Sequence, residues 1–434
     1  MIPPDLQELQ SNGVVGAGGA GFPTYAKLLR PAEVVVVNAA ECEPLMHKDK
    51  EILRHYPEEV ISGLKRVMGL AHARQGIIGI KNKYTDVIAR VGSLVGDSVR
   101  VHALGDYYPT GDEFVLVKET VGRVIPPGAL PLDVGAVVCN VETLWNVHHR
   151  TPVVEKFLTV AGAVRTPCTV RVPVGISYAE AIAAAGGATC PSYHLLIGGP
   201  MMGILETDVQ RPVTKTCGGF LVLPVDHPLV QRRKMTYQVI NRIGKSACDQ
   251  CSFCTELCPR YLLGHPIEPH KAMRGLVFTS RGTTMVPGTE FCCECNLCSL
   301  YACPEGLDPK NVCVQSKQMI RAAGKKHPQA GQPCQVRPMA EGRKTPLPNL
   351  IRRLGLDRYD NHGPLRPGVL ETRRIVLPKK QHVGPPAEAV VRPGDRVAKG
   401  TLVAAVKEGQ LGCSLHSSMD GRVTAIDPEI IVEA

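Results

Sequence analysis

The sequence predicts a multidomain protein. It opens with an α/β layer domain, continues through short strands around one helix and a cysteine-rich helical segment, and closes on a small β-sandwich. Three observations carry this reading. Apolar strand runs alternate with amphipathic helical runs between residues 34 and 140. Eight of the 17 cysteines fall in two compact runs, and beyond residue 371 valines alternate with turn glycines. The 434 residues also exceed one core, since domains run to roughly 100 to 200 residues.

Composition narrows the class. Hydrophobic residues at 44% and charged residues at 21% suit a folded chain and exclude a mostly disordered one. The net charge of +10 is spread over short groups such as Arg232-Arg233-Lys234, Lys325-Lys326 and Lys379-Lys380, without interleaved aromatics. That pattern argues against nucleic acid as a partner and leaves a mild attraction to anionic cofactors or acidic partners. No apolar run reaches the roughly 18 to 20 residues of a transmembrane span, and Met1-Ile2-Pro3-Pro4-Asp5 does not begin a signal peptide. A soluble cytoplasmic protein is expected, and in a reducing compartment clustered cysteines mean metal ligation rather than disulfides.

In the first domain, strands are expected at Val34 to Val37, Gly76 to Lys81 and Gly135 to Asn140, with helices near 49–69 and 84–95. Residues 16–21 read Gly-Ala-Gly-Gly-Ala-Gly, a literal match to the dinucleotide pattern. A Rossmann reading fails, however: residues 10–15 are too short and polar for the strand that must precede the glycines, and Pro23 interrupts the helix that must follow. The glycines instead form a loop where backbone amides approach an anionic or planar ligand. The strand at 34–37 delivers Asn38, Glu41 and Glu43 to its C-terminal end, where ligands bind in α/β sheets. On spacing alone the two glutamates are equally well read as solvated loop charges.

Residues 163–225 read as short strands around a helix from Tyr178 to Ala185, closing on Gly198-Gly199-Pro200-Met201-Met202-Gly203. Then come the cysteine runs. The first, Cys248-x2-Cys251-x2-Cys254-x3-Cys258-Pro259, has the bacterial ferredoxin spacing. The second, Cys292-x2-Cys295-x2-Cys298-x4-Cys303-Pro304, is one residue longer in its last gap. In two-cluster ferredoxins the fourth cysteine ligates the other cluster, which pairs Cys248, Cys251 and Cys254 with Cys303, and Cys292, Cys295 and Cys298 with Cys258. Structural zinc is the bland alternative, but three cysteines at x2 spacing followed by Cys-Pro favour two 4Fe-4S clusters. Cys293 is left as a non-ligand. A Pro- and Arg-rich linker without period is expected over 326–370. In the sandwich at 371–434, the turn where lipoyl domains carry their modified lysine holds Met419-Asp420.

These motifs resemble those of the FMN-binding subunit of respiratory complex I and, more closely, the C subunit of the Rnf complex. Gly18-Gly19-Ala20-Gly21-Phe22-Pro23-Thr24 with Lys27 resembles the flavin loop, and Asn38 to Pro44 the second motif. Gly111-Asp112-Glu113 and Asn140-Val141-Glu142-Thr143 resemble the third and fourth. The resemblance implies FMN contacts at Gly18, Gly19, Lys27, Asn38, Glu41, Gly111 and Asn140, with Lys27 on the FMN phosphate. It implies NADH contacts at Phe22, Glu43 and Glu113. Cys139 stands where the complex I protein has a first Asn.

By the same resemblance the domains are an FMN/NADH-binding α/β domain (1–160), a soluble-ligand-binding β-grasp domain (163–225), a two-cluster ferredoxin-like domain (228–325) and a barrel-sandwich domain (371–434). In the Rnf protein the sandwich precedes the flavin domain. Its place here, and the long last gap of Cys298-Ser-Leu-Tyr-Ala-Cys303, resemble the cobalamin reductases of propanediol utilisation. That implies an NADH-dependent oxidoreductase passing electrons to cobalamin or its adenosyltransferase, in a bacterial microcompartment, with a shell protein as a further partner.

Overall fold

The computed structural model describes residues 2–278 and 284–434. The N-terminal part comprises α1 (Pro4–Ser11), α2 (Thr24–Lys27), β1 (Val34–Ala39), α3 (Lys48–His55), α4 (Pro57–Leu70), β2 (Gln75–Lys81), α5 (Thr85–Gly92), β3 (Val99–Leu104), β4 (Tyr107–Tyr108), α6 (Glu113–Val121), β5 (Ala136–Asn140) and α7 (Val141–His149). Its sheet runs β3-β2-β1-β5, all parallel. Val34 to Val37 are all buried because helices cover both faces, as the continuous apolar run requires. Val35, Val37 and Ala39 join one core, while Val34 and Val36 join the other.

The helix expected over 49–69 is two helices, because Pro57 forces its predecessor out of helical geometry and starts α4 afresh. Gly63 lets α4 close on α7: a Cβ there would meet the Leu144 carbonyl oxygen at 2.0 Å.

The second unit has β6 (Glu155–Gly162), β7 (Cys168–Pro173), α8 (Tyr178–Ala184), β8 (Tyr193–Ile197), β9 (Ile204–Glu206) and β10 (Gly219–Pro224). Ser177 and Glu180 form a reciprocal cap at the start of α8. The cysteine segment follows as short helices: α9 (Pro228–Lys234), α10 (Tyr237–Ala247), α11 (Phe253–Glu256), α12 (Pro259–Leu262), α13 (Pro269–Gly275) and α14 (Pro309–Ala322).

The stretch 326–370, expected as a linker, carries structure that packs on three neighbours. It contains β11 (Thr345–Pro346), α15 (Leu347–Arg353) and β12 (Leu365–Val369). Strand β11 pairs with β4 and β12 with β7, so the β-grasp sheet reads β12-β7-β6-β10-β8-β9. Leu347, Leu350, Ile351 and Leu354 keep helical spacing and share a core with Leu221, Leu297 and Leu300. One helix of seven residues is too short for that period to stand out among prolines and arginines.

The C-terminal unit has β13 (Arg374–Pro378), β14 (Glu388–Ala389), β15 (Arg396–Val397), β16 (Leu402–Ala405), β17 (Leu415–His416), β18 (Gly421–Ala425) and β19 (Glu429–Glu433). They form two sheets, β13-β19-β18-β15 and β14-β16-β17, around one shared core. This sandwich is docked against the start of the chain. The Val383 amide donates to the Gly21 carbonyl at 3.0 Å, the Ser414 amide to the Gln10 carbonyl at 3.2 Å, and Cys413 is buried in the N-terminal core. Lys215 of the β-grasp unit ties both, its ammonium donating to the carbonyls of Gly13 and Ser414 at 3.0 Å each.

Candidate functional site

Because β1 and β5 are parallel and adjacent, their C-terminal ends open on one edge, and there lies a cavity of about 360 Å³. The ten cofactor residues expected from the sequence all line it. Gly18, Gly19, Phe22 and Lys27 come from the glycine loop and α2, Asn38, Glu41 and Glu43 from the end of β1, Gly111 and Glu113 from the start of α6, and Asn140 from the end of β5. Among the described residues no strand precedes the glycines, in keeping with a geometry other than Rossmann. Around Gly19, at φ 115°, an added Cβ would meet nothing within 4 Å, so the loop presents bare backbone to the cavity.

The polar groups are held by a second layer. The Asn38 carboxamide donates to the Gly111 carbonyl at 2.8 Å, fixing the second motif to the third. Asn140 caps α7 by accepting from the Glu142 amide, and donates to Asp49 at 2.7 Å. The Lys27 ammonium lies 3.4 Å from Glu113 and donates to the Val138 carbonyl at 3.1 Å.

Glu41 and Glu43 are not solvated charges. Glu41 accepts from the amides of Asp49 and Lys50 at the start of α3, and burial followed by the charge of Asp49 pushes its carboxyl up to about 7. Glu43 accepts from the amides of Met201 and Met202 at 2.9 Å each, and burial pushes it to about 7 against those bonds. Gly199 leaves room for this, since a Cβ there would meet the Glu43 carboxylate at 2.3 Å.

Sequence reasoning missed Lys48, Asp49 and Thr143, which also line the cavity. Lys48 and Lys156 both converge on Glu142, at 2.9 and 2.8 Å, with all three side chains buried. The unbroken charges Lys48-Asp49-Lys50-Glu51 at the head of an otherwise amphipathic helix were the available signal. Glycines that leave an open cradle, carboxamides fixed at its rim and one ammonium beside them fit a flavin mononucleotide. They would contribute amide donors, ring-edge hydrogen bonds and phosphate pairing respectively.

The cysteines form two sets. Cys248, Cys251, Cys254 and Cys303 line one small cavity. Burial pushes the Cys254 thiol up to about 12, and its neighbours are Cys248, Cys251 and Cys303. Cys298 neighbours Cys313, Cys292, Cys258 and Cys254, and Cys295 neighbours Cys293, Cys258 and Cys298. The first three cysteines of the first run thus share a cavity with Cys303 of the second, and Cys258 of the first run neighbours Cys293 and Cys292 of the second.

The backbone repeats as well. The residues flanking the second cysteine, Gln250 and Ser252 in one run and Glu294 and Asn296 in the other, are all left-handed, at φ 60°, 67°, 61° and 66°. Four such non-glycine residues are strained and wrap each loop round a common point. The extra residue in the second run is absorbed by a π turn, Cys298–Ala302, one residue wider than an α turn, which keeps Cys303 in reach of the first set.

The two centres adjoin. Cys295 lines the flavin-sized cavity. The Tyr108 hydroxyl donates to the Cys295 carbonyl at 2.7 Å, and the Asn296 carboxamide donates to the Met201 carbonyl at 3.1 Å, on the loop that holds Glu43. Cys251, in the other set, is exposed.

Comparison with known proteins agrees with this architecture. Residues 9–149 match the Nuo51 FMN-binding domain, 157–205 the SLBB domain, 247–308 a 4Fe-4S dicluster domain, and 364–434 the RnfC barrel sandwich hybrid domain. The dicluster match replaces the zinc reading. The C subunit of the Na(+)-translocating ferredoxin:NAD(+) oxidoreductase complex of Acetobacterium woodii is 33% identical over 261 residues, 58% of this chain and 56% of that one. Cobalamin reductase PduS of Salmonella typhimurium is 40% identical over 430 residues, covering 98% of this chain and 95% of that protein, and the Citrobacter freundii protein of the same name matches equally. An FMN-binding domain joined to a 4Fe-4S dicluster domain makes the chain an electron-transferring oxidoreductase, and with that identity over nearly its whole length it belongs to the cobalamin reductase PduS family.

Proposed function

We propose that the chain oxidises NADH at an FMN held in the N-terminal cavity and passes electrons through two 4Fe-4S clusters to a cobalamin, in a bacterial microcompartment pathway that consumes the reduced corrinoid. The observation that carries this reading is that Cys295 lines the same cavity as the ten expected cofactor residues, while Cys251, in the other set, is exposed. When bound, FMN takes a hydride from NADH and releases single electrons, which the clusters can carry. The chain's own residues hold and shield. Lys27 pairs a phosphate, Asn38 and Asn140 bond ring edge and ribityl chain, Phe22 covers a nicotinamide, and Glu43 and Glu113 bound its side of the cavity. No described helix is long and apolar enough to cross a membrane.

The deciding experiment is anaerobic reduction of cob(II)alamin by NADH with cluster-loaded protein and its adenosyltransferase. Corrinoid reduction at the rate of flavin reoxidation is expected. Rapid NADH oxidation with none would leave an electron carrier with another acceptor.

Two further outcomes are expected. Lys27→Ala should lose most of its flavin on gel filtration, read from the flavin absorbance of the eluted protein; unchanged flavin would remove Lys27 from the phosphate. Affinity for NADH and FMN should weaken as pH rises through about 7, because Glu41 and Glu43 then ionise on the wall facing two anionic ligands. A KM for NADH that stays flat across that titration would contradict this.

A further inference from the structure

Met201 lies in the turn between β8 and β9 and is fully buried. Its peptide groups are shared among three parts of the chain. The Met201 amide donates to Glu43, beyond β1, at 2.9 Å. The Met201 carbonyl accepts from the Asn296 carboxamide of the cluster loop at 3.1 Å and from the Arg233 guanidinium of α9 at 2.7 Å. The same nitrogen of Arg233 reaches the Pro200 carbonyl at 3.0 Å. Gly198 and Met202, on the same turn, line the flavin-sized cavity. The turn is tight, since a Cβ at Gly203 would meet the Gly199 carbonyl oxygen at 2.1 Å.

The cluster side of this contact is one corner of backbone. Asn296 is buried and left-handed at φ 66°, and the residue before it, Cys295, lines the cavity. Tyr108 is buried, lines the same cavity, and its hydroxyl donates to the Cys295 carbonyl at 2.7 Å. Two consecutive residues of the cluster loop are thus tied, one to β4 and the other to the Met201 turn. Other cations hold the cluster segment elsewhere. Arg232 donates to the carbonyls of Ser299 and Leu307 at 3.0 and 2.9 Å, Arg353 to that of Cys303 at 3.4 Å, and Lys317 to that of Cys292 at 2.7 Å. Arg260 pairs with Asp112, the cap of α6, at 2.9 Å, which ties α12 to the cavity rim. None of these four reaches the Cys295–Asn296 corner through the hydrogen bonds given.

Electron transfer between two fixed centres depends on the interval between them, and this corner is where the cluster loop enters the cavity wall. We propose that Tyr108 and Arg233 are positioning residues that clamp the Cys295–Asn296 corner in that wall, and so fix the interval between flavin and cluster. Tyr108 acts on the Cys295 carbonyl directly, and Arg233 acts through the Met201 carbonyl that Asn296 shares. In the step they serve, the flavin is oxidised by one electron and the cluster reduced by one, with NADH as the source. The inference rests on the flavin and two-cluster reading above.

The test is anaerobic stopped-flow reduction of the full-length holoprotein by NADH. Amide hydrogen exchange, iron and flavin content and cluster potentials are measured on the same samples. In Arg233→Gln the flavin should bleach at the wild-type rate while cluster reduction slows about tenfold, since about 1 Å of misplacement can cost about a hundredfold where geometry governs a rate. Exchange at residues 293–297 should rise about tenfold, the factor one hydrogen bond of ordinary strength supplies, with both cluster potentials unmoved. Tyr108→Phe should raise exchange at the same residues, and the double variant should slow cluster reduction beyond either single one. Full iron and flavin with wild-type cluster reduction in both single variants would overturn the proposal even if exchange rises, because the clamp would then not set the rate. A shifted cluster potential that accounts for the slowing would overturn it too, by making the role electrostatic. If Arg233→Gln loses iron or flavin, Arg233→Lys and Tyr108→Phe decide between the same outcomes. A wild-type protein whose flavin bleaches with no cluster reduction would instead refute the electron path itself.

Discussion

Glu142→Ala is expected to destabilise the protein by about 3–5 kcal/mol, the range for removing one member of a buried ion pair. The Lys156 ammonium would be left 1% exposed without its 2.8 Å partner, while Lys48 would keep Asp49 at 2.9 Å as an ion-pair partner. Burial alone would raise the Glu142 carboxyl, yet the charges and hydrogen bonds of Lys156 and Lys48 outweigh it and hold the group below the usual carboxylate range. A carboxyl depressed in the folded state contributes stability that is present above its unfolded value and lost as pH falls through the folded one. The wild type should therefore weaken at acid pH more steeply than the variant. Replacing Glu142 and Lys156 together by methionine should recover much of the loss, since no ammonium is then stranded. Urea melts in which Glu142→Ala matches the wild type would show that the buried triad contributes nothing to the joint between flavin and β-grasp units.

Cys258→Ser should abolish electron delivery beyond the flavin while leaving flavin reduction by NADH intact. Its thiol lies among Cys292 and Cys293 although its own run lies elsewhere in sequence, and the amides of Tyr261 and Arg260 face it. Loss of one of two clusters should remove about half the iron and one EPR signal, with bleaching of the flavin by NADH preserved. Cys295→Ser should remove the same signal and Cys254→Ser the other one. If Cys258→Ser and Cys254→Ser removed the same signal, ligation would run within each cysteine run rather than between them.

The sequence was most legible where spacing itself is the chemistry. The two cysteine runs stand on their spacing, the resemblance of a glycine loop and three further short motifs implied the ten residues expected at the cavity, and β1 and β5 follow from unbroken apolar runs. What stayed hidden depends on partners distant in the chain. Spacing alone could not tell Glu41 and Glu43 from loop charges, because the amides that hold them belong to α3 and to the turn at Met201. Arg260 carries no local signal, since nothing near it in sequence shows that Asp112 lies opposite. The stretch 326–370 gave no period because its elements are two to seven residues long, each completing a sheet or core begun elsewhere. The longer gap before Cys303 is a departure from the ferredoxin spacing, and the π turn takes up the added residue.

Lys215 of the β-grasp unit bridges Gly13 to Ser414, and the sandwich meets Gln10 and Gly21, residues at the head of the flavin unit, through Ser414 and Val383. Its spatial address is thus beside the first helix, whichever end of the chain supplies it. A gene rearrangement that moved this module from front to back would need only a tether long enough to return it to the same berth, and β12 with its neighbours provides one. Permuted relatives can then keep one three-dimensional assembly under two different reading orders.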